Sequence, residues 1–169
     1  MNEPQLQSNR LFLYPLSIRE LTQINSNDSD TIEISFDSET MSESFQAAIS
    51  KKIRKMKRIS EKLHPWYTYW AIIDKTVDKG IGFVGFKGFP NKKGYSEIGY
   101  GMSLNFRKRG LMTEAVNTLA EWARLNPNCK GVTARVLKTN VGSIKVLKNC
   151  GFQIVTSDEL ECIFVDNFI

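Results

Sequence analysis

The sequence is poor in the side chains that nucleophilic and metal-dependent enzymes use. Its 169 residues include one histidine, His64, which directly precedes Pro65 at the predicted end of a helix. A Ser-His-Asp triad or a histidine-based zinc site would have to include His64, and neither has the needed partners in the sequence around it. We therefore expect no metal and no histidine-activated nucleophile.

Cysteine is also scarce. Cys129, Cys150 and Cys162 are odd in number, widely separated and form no C-x-x-C pair. This pattern favours reduced thiols over a disulfide framework or a zinc site, and reduced thiols predict a cytoplasmic location. Cys150 falls on the apolar stripe of a predicted helix, which favours a buried and unreactive thiol.

No apolar run is long enough for a signal peptide or a membrane span. The first ten residues are polar, and the run "LFLYPL" that follows is too short for either. The sequence shows no internal repeat, low-complexity segment or interdomain linker, and its length suffices for one hydrophobic core. We expect a single soluble domain over residues 1–169 with no membrane partner.

The charge balance is basic but not informative by itself. The net charge is +5, from 23 Lys and Arg against 18 Asp and Glu. The excess of positive charge is explained by an anionic partner, or equally by a basic surface that binds no partner. The phosphate-binding pattern G-x-x-x-x-G-K-[ST] and the dinucleotide pattern G-x-G-x-x-G are both missing from the sequence.

Hydrophobic periodicity predicts an α/β (α+β) fold: a mixed, mostly antiparallel sheet with helices on its faces. Strands are predicted over residues 10–16, 67–74, 80–89, 94–104, 130–137, 152–157 and 159–168. Helices are predicted over residues 17–24, 39–63, 111–125 and 141–149. Ser17 and Glu20 form a capping-box pair, residues 25–30 form a polar loop, and Pro65 is expected to stop the second helix.

The segment "LNFRKRGLMTEAV", residues 104–116, places three cations and a glycine directly before an amphipathic helix. Cations are unfavourable at a helix N-terminus, where the macrodipole is positive, so their placement favours a bound anion. Free backbone N–H groups and a glycine without a Cβ atom would let a phosphate approach the chain closely. The alternative is a basic turn with a glycine bend, and this segment alone does not separate the two.

Two longer segments resemble the GNAT superfamily of acyl-CoA-dependent N-acyltransferases, and most closely its ribosomal-protein N-terminal acetyltransferases of the RimJ/RimL type. They are "EIGYGMSLNFRKRGLMTEAVNTLAEWA" and "VTARVLKTNVGSIKVLKNCGFQIV". The resemblance implies the GNAT fold, with a sheet that splays at the strand before a pyrophosphate loop. It also implies an acyltransferase that uses acetyl-CoA as co-substrate and needs no metal.

The resemblance assigns a set of residues to acetyl-CoA. The pyrophosphate loop falls on Arg107, Gly110 and Met112, where Met112 departs from the small residue that the family places there. Asn140 is similar to the asparagine that meets the pantetheine arm or its supporting strand, although a purely structural N-cap is the alternative. The assigned residues are Met102, Leu104, Arg107, Lys108, Arg109, Gly110, Leu111, Met112, Thr113, Asn140 and Lys145.

Two residues are candidates for the proton transfers. Glu97 resembles the glutamate that family members use as general base, directly or through water, and a solvated strand carboxylate is the alternative. Ser143 resembles the group that donates a proton to the departing thiolate, although serine is common on a first helical turn. Tyr100 is expected to line the cleft. Gly99 and Gly101, on either side of Tyr100, are typical of a bulged or closely approached strand.

The second predicted helix carries a dense basic section that has two interpretations. Its cations and the aromatic residues after it would suit a nucleic-acid surface with stacking platforms. Apolar residues at helical spacing favour instead the solvated face of a packed helix, beside the acceptor cleft. The cations are Lys51, Lys52, Arg54, Lys55, Lys57, Arg58 and Lys62, and the aromatics are Trp66, Tyr67 and Tyr69.

These observations predict an N-acetyltransferase that acts on a primary amine, with a peptide or protein α-amine favoured. An α-amine has an unperturbed pKa of about 8, whereas that of a lysine is about 10.4 and needs more depression. Three alternatives stay open: a CoA-binding protein without turnover, a basic module that binds RNA or ribosomes, and an acetyltransferase for a small-molecule amine. A ribosomal protein is a possible partner, and both a monomer and a homodimer are compatible with the sequence.

Overall fold

The structure, a computed structural model, describes residues 5–28 and 32–168. Its strands are β1 Leu6–Gln7, β2 Leu11–Pro15, β3 Trp70–Asp74, β4 Lys79–Phe86, β5 Tyr95–Met102, β6 Gly131–Leu137, β7 Gln153–Ser157 and β8 Glu161–Asn167. Its α-helices are α1 Ile18–Asn25, α2 Glu43–Met56, α3 Leu111–Arg124 and α4 Val141–Asn149, and its two longer 3₁₀ turns span Glu61–Trp66 and Leu104–Phe106.

The eight strands form one sheet in the order β1-β2-β3-β4-β5-β6-β8-β7. Among the described residues, neighbouring strands pair antiparallel except β5 and β6, which are parallel. This confirms the predicted fold class. Successive side chains along a strand point to opposite faces of the sheet. Ile98 and Val132 lie in a core shared with α3, whereas Ala71 and Phe83 lie in a second core on the opposite face. The second core also includes Ile49 of α2.

Three of the four helices follow their local sequence signals. The predicted capping box starts α1, with the Glu20 N–H donating to Ser17 Oγ over 3.1 Å. The apolar stripe of α3 is buried as predicted, including Ala115, Val116 and Leu119. The helix α4 has the predicted bounds, because the residues that start and end it, the N-cap Asn140 and Gly151 with its positive φ, lie next to it in the sequence.

The predicted bounds of the second helix are wrong. The helix starts at Glu43, because Ser42 accepts a hydrogen bond from the Phe45 N–H, whereas the four residues before Glu43 are not helical. It ends at Met56, whose carbonyl lies 2.8 Å from His64 Nε2. Between Met56 and His64 the chain turns back on itself. Pro65 therefore lies inside the 3₁₀ turn Glu61–Trp66 and does not stop α2. The contact with Met56 also gives His64 a structural role.

Two further expectations about this segment need correction. Lys52 is not on the solvated face but is buried under α2, with 7% of its surface exposed. Trp66 and Tyr69 are buried in the two cores, so they offer no stacking platform for bases.

The two-residue strand β1 was not predicted, because it is too short to show an alternating pattern. It pairs antiparallel with β2 through Leu6 and Leu13. Residues 1–4 of the polar N-terminal segment and residues 29–30 of the predicted loop lie outside the described residues. Within the described ranges, no helix combines the length and the apolar character that crossing a membrane requires.

Candidate active site

The sheet opens between β5 and β6. These parallel strands pair at Tyr95, Ser96 and Glu97 of β5, with Glu97 opposite Thr133 as the last pair. Both strands continue beyond that point, β5 to Met102 and β6 to Leu137, without pairing to each other. We call the space between these unpaired parts of the two strands the β5–β6 gap.

The open edge of β5 presents backbone groups to this gap. On the β4 side, the Lys87 N–H donates to the Glu97 carbonyl and the Ser103 N–H donates to the Ile81 carbonyl, both over 2.8 Å. Backbone groups alternate in direction along a strand, so those of Ile98 and Tyr100, between these bonds, point towards the gap. They can pair with the amide groups of an extended ligand.

The end of β5 leads directly into an exposed loop at the N-terminus of α3. Lys108 and Gly110 of this loop have φ values of 64° and 75°. Gly110 is the N-cap and offers no side chain for capping, and the Glu114 N–H makes the bond to the Gly110 carbonyl over 3.1 Å. The N–H groups of residues 111–113 therefore have no intrahelical acceptor, and the helix dipole adds to their attraction for an anion.

Gly110 is needed for its backbone conformation. A Cβ atom there would meet only the Arg10 guanidinium, at 3.5 Å, so the position is not crowded within the protein. The positive φ is the constraint, because it is strained for residues with a side chain.

Two of the three loop cations hold the loop itself. Arg107 Nε donates to the Met102 carbonyl over 3.1 Å, and Arg109 Nη2 donates to the Asn105 carbonyl over 3.1 Å. The Arg109 guanidinium also lies 5.2 Å from the centre of the Phe106 ring. These cations therefore shape the loop as well as adding positive charge.

Arg10 and Glu114 brace the start of α3, and sequence reasoning missed both. Arg10 Nε pairs with Glu114 Oε1 over 2.9 Å, and Arg10 Nη1 donates to the Arg109 carbonyl over 2.9 Å. Ser8 Oγ and the Arg10 N–H donate to Glu114 Oε2. Burial acts to raise the pKa of Glu114, but the hydrogen bonds from Ser8 and Arg10 outweigh it and lower that pKa. About a hundred residues separate the partners, so no local signal could have predicted the pair.

The other predicted cofactor residues divide between the core and the surface. Leu111 and Met112 are buried beneath the loop, so the departure at Met112 is accommodated in the core. Leu104 is 61% exposed, and Lys145 is exposed on α4. Asn140 caps α4 by accepting from the Ser143 N–H over 3.1 Å. The Thr113 carbonyl accepts from Cys150 Sγ, which ties α3 to α4.

Glu97 lies on the α2 face of the sheet, at the start of the gap. Its Oε2 forms an ion pair with Lys87 Nζ, and its side chain is 29% exposed. Oε1 has no hydrogen-bond partner among the described residues. The predicted bulge does not occur, because β4 and β5 keep a continuous register from Gly82–Met102 to Phe86–Ile98. The Phe45 ring fills the space that a Cβ of Gly101 would occupy, whereas nothing lies within 4 Å of a Cβ at Gly99, so close approach of a ligand to this strand stays a prediction.

Ser143 lies on the opposite face, on the first turn of α4. The Tyr100 hydroxyl donates to the Ser143 carbonyl over 3.2 Å, which connects β5 to α4. Burial raises the pKa of Tyr100, so its hydroxyl stays protonated. Ser143 Oγ has no hydrogen-bond partner within the part of the chain that the structure describes. Glu97 and Ser143 therefore flank the β5–β6 gap from its two sides.

The remaining polar groups do not form a metal site. In residues 5–28 and 32–168, no group of three or more His, Cys, Asp or Glu side chains could hold a metal ion. The three cysteines are free, and burial, followed by repulsion from Asp166, raises the pKa of Cys150 to about 12. A thiol with so high a pKa is a poor nucleophile at neutral pH.

A family model described as an acetyltransferase (GNAT) domain matches residues 10–153. The chain belongs to the GNAT acetyltransferase family. The match includes β5, the loop before α3, and α4, so it covers the whole gap. It confirms the resemblance inferred from the sequence.

The curated relatives match only part of the chain. An uncharacterized N-acetyltransferase of Bacillus subtilis (strain 168), YjdG, is 35% identical over 83 residues, which are 49% of this chain and 49% of that protein. The alignments with the curated relatives therefore span about half the length of those proteins.

Solved structures match this GNAT protein over nearly its full length. The ribosomal-protein-S5-alanine acetyltransferase of Vibrio fischeri has a TM-score of 0.68 and 17% identity, with 98% of this chain and 97% of that chain covered. RimL, a ribosomal L7/L12 α-N-protein acetyltransferase solved with coenzyme A, has a TM-score of 0.68 and 13% identity, with 97% and 98% covered. At these identities the likeness establishes the fold.

Proposed function

We propose that this GNAT protein transfers an acetyl group from acetyl-CoA to a primary amine, the N-terminal α-amine of a peptide or protein. One observation carries the proposal: the β5–β6 gap leads directly to the anion site at the N-terminus of α3. A ligand with an extended amide-containing arm and a pyrophosphate fits both parts together. The family assignment and the structural neighbour solved with coenzyme A support the same choice.

The residues present fit coenzyme A. The pyrophosphate would accept hydrogen bonds from the free N–H groups of residues 111–113, beside the cations of the loop. The backbone groups of Ile98 and Tyr100 would pair with the amides of the pantetheine arm. Arg10 neutralises Glu114, which would otherwise place an uncompensated negative charge beside the phosphates. When bound, acetyl-CoA supplies the thioester carbonyl that the amine attacks.

The reaction needs a proton acceptor and a proton donor on the two sides of the gap. Glu97 Oε1 is free to accept the amine proton, directly or through one water, while Lys87 holds Oε2. A C–N bond forms, the C–S bond breaks, and the sulfur takes up a proton. Ser143 Oγ, free of other partners in the described chain, is the proposed donor for the sulfur.

The choice of an α-amine rests on its acidity and on the surface charge. Its unperturbed pKa of about 8 leaves a substantial neutral fraction near physiological pH, whereas a lysine amine at about 10.4 is almost fully charged. A polyamine would also be repelled by the net charge of +5. The names of two structural neighbours, both ribosomal-protein acetyltransferases, support a protein acceptor and a possible ribosomal partner. The three free cysteines support a cytoplasmic location.

A panel of amines, assayed by release of the CoA thiol, tests this proposal. We expect short peptides with a free α-amine to have higher kcat/KM values than spermidine, free lysine and the same peptides with blocked N-termini. If spermidine exceeds every peptide, the acceptor is a small amine. If no amine releases thiol although CoA binds by calorimetry, the protein binds CoA without turnover.

A further inference from the structure

The helix α2 and the turn after it carry an exposed basic surface. Six lysine and arginine residues on this helix and the turn after it are exposed. Among the described residues, none of the six forms an ion pair with a carboxylate. They are Lys51, Arg54, Lys55, Lys57, Arg58 and Lys62.

Only part of this surface faces the β5–β6 gap. The helix α1 occupies one flank of α2, where Asn25 Nδ2 donates to Ser50 Oγ over 3.0 Å and Gln46 Nε2 donates to Asn27 Oδ1 over 3.3 Å. Helical spacing of 3.6 residues per turn places Lys51 and Lys55 on the opposite flank.

Lys55 connects that flank to the candidate base. Its Nζ donates to the Lys87 carbonyl over 3.3 Å, and the Lys87 side chain pairs with Glu97. Lys55 and Lys87 therefore lie near Glu97 on the α2 side of the gap, and Lys51 lies one helical turn before Lys55 on the same flank of α2. We call these three lysines the basic rim.

The basic rim is remote from the phosphate site. Phe45, in the first turn of α2, packs against Gly101, close to where β5 enters the phosphate loop. Lys55 is ten residues further along the helix, a distance of about 15 Å at a rise of 1.5 Å per residue. Coenzyme A phosphates at the start of α3 would thus leave Lys51 and Lys55, which form no ion pair among the described residues, without an anionic partner.

We propose that the basic rim binds acidic side chains of the acceptor, so that the preferred substrate is a polypeptide with Asp or Glu within a few residues of its free α-amine. This rests on the proposed function and names its substrate class. Charge complementarity carries it: the unpaired cations lie beside the group that would receive the amine proton. Nucleic acid is disfavoured as the occupant, because Trp66 and Tyr69 are buried and cannot stack on bases.

Binding measured without turnover tests the proposal independently of catalysis. Peptides labelled at the C-terminus, identical except for Asp-Glu, Ser-Gln or Lys-Arg at the third and fourth positions, would be titrated with the protein and CoA by fluorescence polarisation. We expect the acidic peptide to bind about tenfold more tightly than the neutral one at low salt. The difference should shrink at high salt, because exposed ion pairs are screened.

Charge reversal locates the effect. The variant Lys51→Glu/Lys55→Glu should reverse the preference, so that the basic peptide binds more tightly than the acidic one. The matched control Arg54→Glu/Lys57→Glu changes the net charge by the same amount on exposed positions outside the basic rim, and it should keep the preference for the acidic peptide. Unfolding curves of both variants would verify that they fold.

The outcomes separate this proposal from the proposed function. Equal binding of acidic and neutral peptides, or equal effects of the two double variants, would overturn acidic docking even if peptides are acetylated. Tighter binding of a labelled single-stranded RNA than of the acidic peptide would overturn it in favour of nucleic acid. Selective acidic binding without thiol release would leave docking standing and refute the acetyltransferase activity.

Discussion

The candidate base Glu97 has Lys87 as its neighbour across the β4–β5 pair. The register of β4 and β5 places the two residues side by side on the α2 face, where their side chains form an ion pair. Lys87 was not predicted from the sequence, because strand register is not visible in a single chain segment. Lys87 pairs with Oε2 of the carboxylate and leaves Oε1 without a hydrogen-bond partner among the described residues.

We predict that Glu97→Gln lowers kcat by about 100-fold or more and leaves the KM for acetyl-CoA unchanged, as expected for loss of a general base. The substitution keeps the shape of the side chain, so folding should be preserved. Steady-state kinetics would check this, with Glu121→Gln on the exposed face of α3 as the matched control. Turnover at the wild-type rate would make Glu97 a structural carboxylate.

Lys52 is a buried lysine that has no carboxylate partner among the described residues. Its Nζ donates to the carbonyls of Phe86 over 2.9 Å and Tyr67 over 3.1 Å, and it lies 4.4 Å from the centre of the Tyr69 ring. Burial, followed by repulsion from Lys55 and Lys87, lowers the pKa of Lys52 to about 7. The two hydrogen bonds attach α2 to the sheet, and the burial of Lys52 lowers the fraction of its amine that is protonated at neutral pH.

This pKa predicts a dependence of stability on pH. Between pH 7 and 10.5 the unfolded chain holds a proton on Lys52 that the folded protein has released, so the free energy of unfolding rises with pH in this range. The slope is at most about 1.4 kcal/mol per pH unit. Urea unfolding between pH 6.5 and 7.5 would measure it, below the range in which the Cys150 thiol of the unfolded chain titrates.

Lys52→Met should flatten that slope, because methionine has no proton to release. Lys51→Met, at an exposed neighbouring position, is the control and should retain the slope. An unchanged slope in Lys52→Met would show that the lysine remains charged in the folded protein near neutral pH.

At the scale of whole elements, local sequence signals were sufficient to predict the bounds of some helices and insufficient for others. The bounds of α4 and the start of α3 were predicted, because caps and apolar stripes lie within the helix sequence itself. The bounds of α2 were not, because contacts such as that of His64 with Met56 depend on the tertiary fold. The loop before α3 was predicted from its cations and glycine as a candidate phosphate site, and this remains a prediction. The hydrogen bond from Arg10 to the loop was not predicted, because Arg10 directly precedes β2 and is 99 residues away from Arg109 in the sequence.

Gly110→Ala should raise the KM for acetyl-CoA about tenfold, because the left-handed conformation costs a residue with a side chain about 1–2 kcal/mol and the loop would relax away from it. Gly151→Ala is the matched control. Gly151 also has a positive φ, 84°, but it follows α4 and lies outside the loop. Both variants should lose similar stability, and only Gly110→Ala should change the KM. Equal KM values for the two variants would contradict a role of the loop in cofactor binding.

The Arg10–Glu114 pair can be tested by a double-mutant cycle. Arg10→Ala should weaken CoA binding about tenfold, because it leaves the Glu114 carboxylate uncompensated beside the phosphates and frees the Arg109 carbonyl. Glu114→Gln in the Arg10→Ala background should recover part of the affinity. Isothermal titration with CoA gives the four affinities. Strictly additive changes would mean that Arg10 does not act through Glu114.

At the scale of the molecule, one sheet separates the two halves of the proposed reaction. The helices α3 and α4 lie on one face, with the proposed phosphate site and Ser143, whereas α1 and α2 lie on the other, with Glu97 and the basic rim. The β5–β6 gap is the part of the sheet between these two faces where neighbouring strands are not paired. The cofactor and the acceptor can therefore approach from different sides and meet at the gap.

The most direct test of acetyl transfer at this gap is to locate the acetyl group on a product. A peptide with a free α-amine, acidic residues near it and one internal lysine would be incubated with acetyl-CoA and the protein, and the product sequenced by tandem mass spectrometry. We predict a single acetyl group on the α-nitrogen, formed only when acetyl-CoA and the protein are both present. An acetyl group on the lysine side chain, or no acetylated peptide although the protein binds CoA, would contradict the prediction.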